Sequence, residues 1–284
     1  MVDHGSVGLV DQLLGGCAGG VDQVVVVDCT PGDPGLRAVC DRHGARLIEP
    51  GANLGYGGGA NLGAEQLEAD VLVVANPDVE VSADGLRRLA AAAWRNGLAG
   101  PRLEFPDGGL QRSAHRREPR GLTTAYDLSV PFRAVAARVS RDWHPTLLST
   151  AAHASSASCV HVLGALVAVD AQAFREVGGF DPAFFLYREE TDLCHRLRAA
   201  GWQVLHEASV TAVHHSGGST TDPRPLAARP LHLASHYRYL RTHWGRLAAA
   251  RNRIVGLLAA LSSVVTGPER GAWWGAVRWH LRGR

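Results

Sequence analysis

Two aliphatic runs, Val24-Val25-Val26-Val27-Asp28 and Val71-Leu72-Val73-Val74-Ala75, constrain the fold of this chain more than any other feature. Neither run alternates with polar residues, so each reads as a strand buried on both faces. Segments of helical character lie between and after them. Residues 36–43 can form a helix, followed by a short strand at 45–48. Residues 61–68 read as a helix with Leu62 and Leu67 on roughly one side. Ser82 is placed to cap a helix through Trp94, with Leu86, Leu89, Ala90 and Ala93 on one face. Strands alternating with helices predict an α/β domain, a mostly parallel sheet flanked by helices. Ligands of such sheets bind at the carboxyl ends of the strands. Here those ends carry Asp28 and Asn76-Pro77-Asp78, predicted to point into one crevice.

Further along, residues 105–158 are irregular and rich in Gly, Pro, Ser, His and Arg, and read as a long loop or partial helix. Residues 159–170 form one strand or a strand pair broken at Gly164, followed by a helix over 171–177. An acidic helix spans 189–200, with Gly201 as its stop. Short strands follow at 204–205 and 210–213, and from Leu226 onward the chain is helical and basic. The expected division is a catalytic-type α/β domain over 1–222 and a helical extension over 223–284.

With 284 residues, 46% of them apolar, the chain can bury a sizeable core. A net charge of +2 argues neither for nor against nucleic acid, no long block of like charge appears, and no nucleic-acid partner is expected. The five cysteines are scattered without zinc-site or redox-motif spacing, which suits small buried hydrophobes in a reduced, cytoplasmic protein. The first twenty residues lack a secretory pattern, and the longest apolar run, 254–265, is too short to span a bilayer.

Three segments carry candidate chemistry. The stretch Phe184-Phe185-Leu186-Tyr187-Arg188-Glu189-Glu190-Thr191-Asp192 sets three carboxylates directly after an apolar block. Carboxylates against an apolar wall tend toward raised pKa, as a general base near neutral pH requires. Acids are equally favoured in a helix first turn by the helix dipole alone. Proline in Asn76-Pro77-Asp78 ends a strand and aims Asp78 outward, where a carboxylate suits Mg²⁺ or Mn²⁺ or merely closes an Asx-type turn. His214-His215-Ser216-Gly217-Gly218-Ser219-Thr220 follows an apolar strand and could complete such a metal shell. The glycine-rich loop Asn53-Leu54-Gly55-Tyr56-Gly57-Gly58-Gly59-Ala60-Asn61 could let backbone amides approach a nucleotide or its diphosphate, or be a plain flexible turn. It fits no G-x-G-x-x-G register, which argues against a nicotinamide-binding Rossmann domain.

Together with Gly164-Ala165 and Gly178-Gly179-Phe180-Asp181, these segments resemble the family 2 glycosyltransferases of the rhamnosyltransferase-like branch, over about residues 20–245. The resemblance implies a GT-A fold and inverting transfer from a nucleotide-sugar donor. It implies nucleotide contacts at Asp28, Asn53, Gly55, Gly58, Asn61 and Asn76. It implies a divalent cation, Mg²⁺ or Mn²⁺, on Asp78 with His214, or His215 as runner-up. Glu190 falls at the catalytic base, with Glu189 in reserve, although many relatives have aspartate there. Gly164 and Asp181 fall on the acceptor side, and Asp192 is expected to orient the helix or pair with an arginine.

The resemblance also implies dTDP-rhamnose as donor, a glycan or polyprenyl-diphosphate-linked acceptor, and a role in cell-envelope polysaccharide assembly. Another nucleotide sugar is an alternative, as is a non-catalytic nucleotide-sugar or glycan-binding protein. The family's first strand is represented here only by its end, at Met1-Val2-Asp3, so the sheet is expected to be incomplete and the chain poorly stable. Trp273, Trp274, Arg278, Trp279, Arg282 and Arg284 on short apolar helices suit peripheral contact with the inner face of the plasma membrane.

Overall fold

A computed structural model describes residues 1–30, 33–140, 142–215 and 229–282. They form two compact units. The first comprises Met1–Arg116, Thr150–Phe185 and Glu189–Thr220, and the second Arg117–Ser149, Leu186–Arg188 and Thr221–Arg284. Residues 117–149 thus group with the C-terminal helices, a division that the boundary expected at 222 does not draw.

The first unit opens with β1 (Val2–Asp3), α1 (Val7–Gly16), β2 (Val25–Asp28), α2 (Pro34–Arg42) and β3 (Arg46–Ile48). The three strands form a parallel sheet in the order β1-β2-β3, with Asp3 opposite Asp28. Next come α3 (Gly55–Ala64), β4 (Val71–Ala75), β5 (Val79–Glu80) and α4 (Ala83–Ala93), where the Ser82 hydroxyl accepts from the Gly85 amide as an N-cap. β6 (Gly97–Glu104), β7 (Leu110–Gln111) and β8 (Ala114–His115) follow. The second unit supplies α5 (Leu122–Leu128) and α6 (Val130–Val139). Back in the first unit, β9 (Ala157–Ser158), β10 (His161–Val162), β11 (Leu166–Asp170), α7 (Ala171–Glu176), α8 (Glu189–Ala199) and β12 (Gln203–His214) complete the α/β architecture.

The larger sheet runs β4-β11-β6-β12-β5, with β7 on β6 and β9 on β12. Only β6 and β12 pair in parallel; the other contacts in this sheet are antiparallel. The architecture is therefore more mixed than strand–helix alternation suggested. The two short strands expected at 204–205 and 210–213 are one strand, β12, with a register shift between Glu207 and Thr211. Its core contains Val26, Leu89, Ala99, Leu103, Leu166, Ala168 and Val210, all essentially inaccessible to solvent.

Val25 of β2 and Leu72 and Val74 of β4 line an apolar cavity of about 560 Å³, so the two sheets do not join there. Among the described residues no cysteine forms a disulfide, and all five are buried.

The second unit packs α5 and α6 with α9 (Pro230–Thr266) and α10 (Arg270–Arg282) around Leu128, Leu233, Leu240, Ala260, Trp273 and Val277. Gly245, at φ 82° and ψ 172°, breaks α9 into two helical stretches. By length and composition α9 could cross a membrane, which the apolar run at 254–265 did not suggest.

Candidate active site

Strand register brings Asp78 and His214 together. β5 pairs antiparallel with β12, Val79 opposite His214 and Glu80 opposite Val213, and the His215 amide donates to the Asp78 carbonyl at 2.9 Å. Asp78 lies in the turn just before β5, and His214 Nε2 lies 3.5 Å from its Oδ1, while His215 meets a different carboxylate, that of Glu80, at 2.5 Å. Both Asp78 and His214 are buried.

Burial acts to raise the Asp78 carboxyl, but the proximity and charge of His214 outweigh it and hold the group below its usual range. The Asp78 Oδ1 is buried and completes no hydrogen bond among the described residues. His214 Nδ1 lies 2.9 Å from the Gln111 side-chain oxygen. When that nitrogen carries the proton, Nε2 keeps its lone pair toward Asp78. An orphaned carboxylate oxygen facing an imidazole lone pair fits two ligands of a divalent cation. Among the described residues no group of three or more His, Cys, Asp or Glu side chains is placed to hold a metal. Ser216–Thr220, the rest of the predicted histidine motif, lies outside the described residues.

Tyr56 links this pair to the acidic helix. Burial, then the charges of Glu189, Glu190 and Asp78, push its phenol well above the usual range, so all three carboxylates act on one hydroxyl. That hydroxyl donates to the Gly164 carbonyl at 2.7 Å. Gly164 in turn admits Glu190: a Cβ there would sit 3.0 Å from the Glu190 Cβ. Glu190 is half-buried and its Oε1 accepts from the Thr191 hydroxyl at 3.3 Å. Glu189 is buried beside it. Asp192 is engaged by Arg196, whose Nε donates at 2.7 Å and whose Nη1 donates to the Val177 carbonyl.

At the ends of the parallel strands, Asp28 and Asp3 lie side by side and buried. Asp28 accepts from the Thr30 amide at 2.8 Å. Burial raises the Asp3 carboxyl, amides of Ser6, His4 and Gly5 pull it down, and the charge of Asp28 raises it again. The sequence reading missed Asp3, although Val2-Asp3 repeats the apolar-then-acidic ending of Val27-Asp28.

The predicted glycine loop is instead mostly helix α3. A Cβ on Gly57 would meet the Phe180 Cβ at 2.8 Å, and one on Gly59 would meet Val2 at 2.8 Å, so these glycines let the helix pack closely. Asn61 grips the Phe180 backbone, donating to its carbonyl at 2.8 Å and accepting from its amide at 2.9 Å. The Asn53 side chain accepts from the Gly55 amide, and Gly58 is half-buried. Asn76 donates its amide to the Ala165 carbonyl, beside Gly164. Asp181 accepts from the Ala183 amide and is partly exposed.

No family model matches the chain. It is 29% identical over 254 residues to an N-acetylglucosaminyl-diphospho-decaprenol L-rhamnosyltransferase of Mycobacterium tuberculosis, covering 84% of this chain and 72% of that protein. Its fold matches a Pyrobaculum calidifontis mannosyltransferase, PcManGT, solved with GDP-Man and Mn²⁺, at TM-score 0.55 and 13% identity, over 100% of this chain and 86% of that one. It also matches GalNAc-T7, solved with UDP, GalNAc and Mn²⁺, at TM-score 0.56 and 12% identity, over 92% of this chain and 50% of that one. The chain has the GT-A glycosyltransferase fold, and along 84% of its length it is similar in sequence to a rhamnosyltransferase.

Proposed function

We propose that this chain is a metal-dependent, inverting glycosyltransferase that moves rhamnose from dTDP-rhamnose to a polyprenyl-diphosphate-linked glycan in cell-envelope polysaccharide synthesis. The observation that carries the reading is His214 Nε2 set 3.5 Å from the buried Asp78 Oδ1, with the Tyr56 hydroxyl bonded to the carbonyl of Gly164, the residue that abuts Glu190. Asp28 and Asp3, at the neighbouring strand ends, suit the hydroxyls or ring N–H of a nucleoside. Asp78 and His214 would hold Mg²⁺ or Mn²⁺, which supplies charge neutralisation for a departing nucleoside diphosphate.

Glu190 then removes the acceptor hydroxyl proton as that oxygen attacks the anomeric carbon from the face opposite the leaving diphosphate. The bond to the diphosphate oxygen breaks, and the sugar is inverted. Gly164 keeps the space beside Glu190 open, and the Tyr56–Gly164 hydrogen bond fixes that wall.

The second unit supports work at the inner membrane face. Leu247, Ile254, Leu258, Leu261 and Val265 are exposed at helical spacing along the second stretch of α9. Arg246, Arg251, Arg270 and Arg278 are exposed on the same two helices. Such a face suits an anionic bilayer surface.

The test is release of dTDP from dTDP-rhamnose with Mn²⁺. Release that is abolished by chelation and by Asp78→Ala supports the reading. Tight dTDP-rhamnose binding without turnover, alone or with acceptor, supports a non-catalytic binding protein instead.

A further inference from the structure

Helix α3 does something that nucleotide contact does not explain: it fastens the segment leading to the acidic helix α8. Asn61 donates to the Phe180 carbonyl at 2.8 Å and accepts from the Phe180 amide at 2.9 Å, so one side chain holds both polar groups of one backbone unit. One helical turn before it, Gly57 lies against the Phe180 Cβ. At the start of α3 the Tyr56 amide, which has no partner within the helix, donates to the Phe185 carbonyl at 3.1 Å. That approach requires glycine: Gly55 holds φ 71°, and a Cβ there would collide with the Phe185 carbonyl oxygen. Between the two anchors the Phe184 amide closes on the Asp181 carbonyl at 3.0 Å, and the rings of Phe180 and Phe184 are buried. Residues 180–185 are thus held at both ends by α3.

Tyr56 also reaches the other side of the acids. Its hydroxyl donates to the Gly164 carbonyl at 2.7 Å, and its ring meets Phe180 edge-on, centroids 6.0 Å apart. Gly164 abuts Glu190 in space, while Phe185 precedes Glu189 by four residues in the chain. One residue, by its amide and its hydroxyl, therefore ties down the backbone on two sides of the acid pair. Helix α8 is tied from behind as well, where Arg196, engaged with Asp192, donates to the Val177 carbonyl at 2.7 Å. The polar atoms of α3 are largely committed to these contacts. The Asn61 carbonyl oxygen and one of its two N–H groups are spent on Phe180, and the Tyr56 proton is spent on Gly164.

We infer that Tyr56 and Asn61 are positioning residues, through which α3 sets Glu190 for removal of the acceptor proton. The inference rests on the glycosyltransferase reading and gives two residues of that site a role. It reassigns Asn61, for which the resemblance implied a nucleotide contact, from the donor to the base. A reacting group displaced by a fraction of an ångström loses rate, while binding of the donor in the ground state is untouched.

The experiment compares Tyr56→Phe and Asn61→Ala with the wild type, each checked for an unchanged melting profile. Rhamnose transfer is measured with dTDP-rhamnose, Mn²⁺ and a prenyl-diphosphate-linked acceptor, and dTDP binding by calorimetry. In each variant kcat should fall about ten-fold, with donor KM and dTDP affinity changed by less than about two-fold. In a Glu190→Gln background, where the base is already gone, Tyr56→Phe should cost less than about two-fold more, because residues that act as a unit are not additive. A repeated ten-fold loss there marks a merely structural role and overturns the inference. Weakened dTDP binding with kcat unchanged assigns α3 to the nucleotide and overturns it too. A second readout needs no turnover. The Tyr56 and Phe184 amides, neither bonded to Asn61, should exchange with deuterium about ten-fold faster in Asn61→Ala, and unchanged exchange removes the clamp. If Asn61→Ala does not fold, Tyr56→Phe and the double variant decide. Failure of the glycosyltransferase reading shows separately, as a wild type that transfers no sugar while the exchange result stands.

Discussion

Asp78, in the turn before β5, and His214, at the end of the β12 strand that pairs with β5, approach to 3.5 Å, while His215 meets Glu80. The two histidines are neighbours in sequence but sit in different environments. His214→Ala should reduce Mn²⁺-dependent dTDP release from dTDP-rhamnose by at least about a hundred-fold, in the range of losing one preorganised charge-stabilising group. His215→Ala should change it less than about two-fold. Equal effects would mean that the contact with Asp78 does not distinguish the two histidines.

Gly164 leaves room for Glu190. In Gly164→Ala the new methyl carbon lies 3.0 Å from the Glu190 Cβ, so the acid must shift by a few tenths of an ångström. We expect kcat for transfer to fall roughly ten-fold with KM for the donor unchanged, since small displacements of a reacting group are costly. Steady-state kinetics at saturating acceptor checks this.

The glycines of two helices should respond oppositely to alanine. Gly57 in α3 abuts the Phe180 Cβ, so Gly57→Ala should lower stability by about 1–3 kcal/mol through overpacking, less what alanine gains in helix propensity. Gly8 in α1 has nothing within 4 Å of its missing Cβ, so Gly8→Ala should raise stability by about 0.5–1 kcal/mol. Urea denaturation of both variants measures the pair.

Acid should destabilise the second unit. Burial holds His232 down to about 3 and His236 well below its ordinary value, so both are neutral when folded and charge freely when unfolded. The unfolded chain then binds more protons as pH falls below about 6.5, and stability drops with it. Asp127, raised to about 6, works in the opposite direction between about 6 and 4, but stands against two histidines. The melting temperature should fall by at least about 3 °C between pH 7.5 and 5, and His232→Asn should flatten that slope.

The apolar stripe on α9 gives a fifth expectation. Flotation with anionic liposomes should recover the wild type and lose most of an Ile254→Glu, Leu258→Glu double variant. Unchanged recovery would remove the membrane-surface role from the account.

Much of the fold around the candidate site was legible because its signals are local. The strands at 24–28 and 71–75, the turn at Pro77 and the acid-rich start of α8 each announce themselves within a few residues. What escaped depends on distant partners. β6 reads Gly-Leu-Ala-Gly-Pro-Arg-Leu-Glu, with glycine and proline where a strand pattern is sought, and it is held as a strand by β11 and β12. The run Gly55–Gly59 has poor helix propensity, yet it is helical because only glycine fits so closely against Phe180 and Val2. The grouping of residues 117–149 with the C-terminal helices rests on contacts such as Ser263 Oγ to the Leu128 carbonyl, 135 residues apart, which no local window contains. Tyr56 was visible in the glycine run, but its bond to the Gly164 carbonyl, 108 residues away, follows from the fold alone.

The role of Glu190 as base in a sugar transfer set up by Asp78 and His214 is decided by Glu190→Gln, assayed with dTDP-rhamnose and a short prenyl-diphosphate-linked N-acetylglucosamine acceptor. Rhamnose transfer should fall by at least about a hundred-fold, within the range set by general-base catalysis, while dTDP binding in the presence of Mn²⁺ is unchanged. Transfer at the wild-type rate in Glu190→Gln would contradict it.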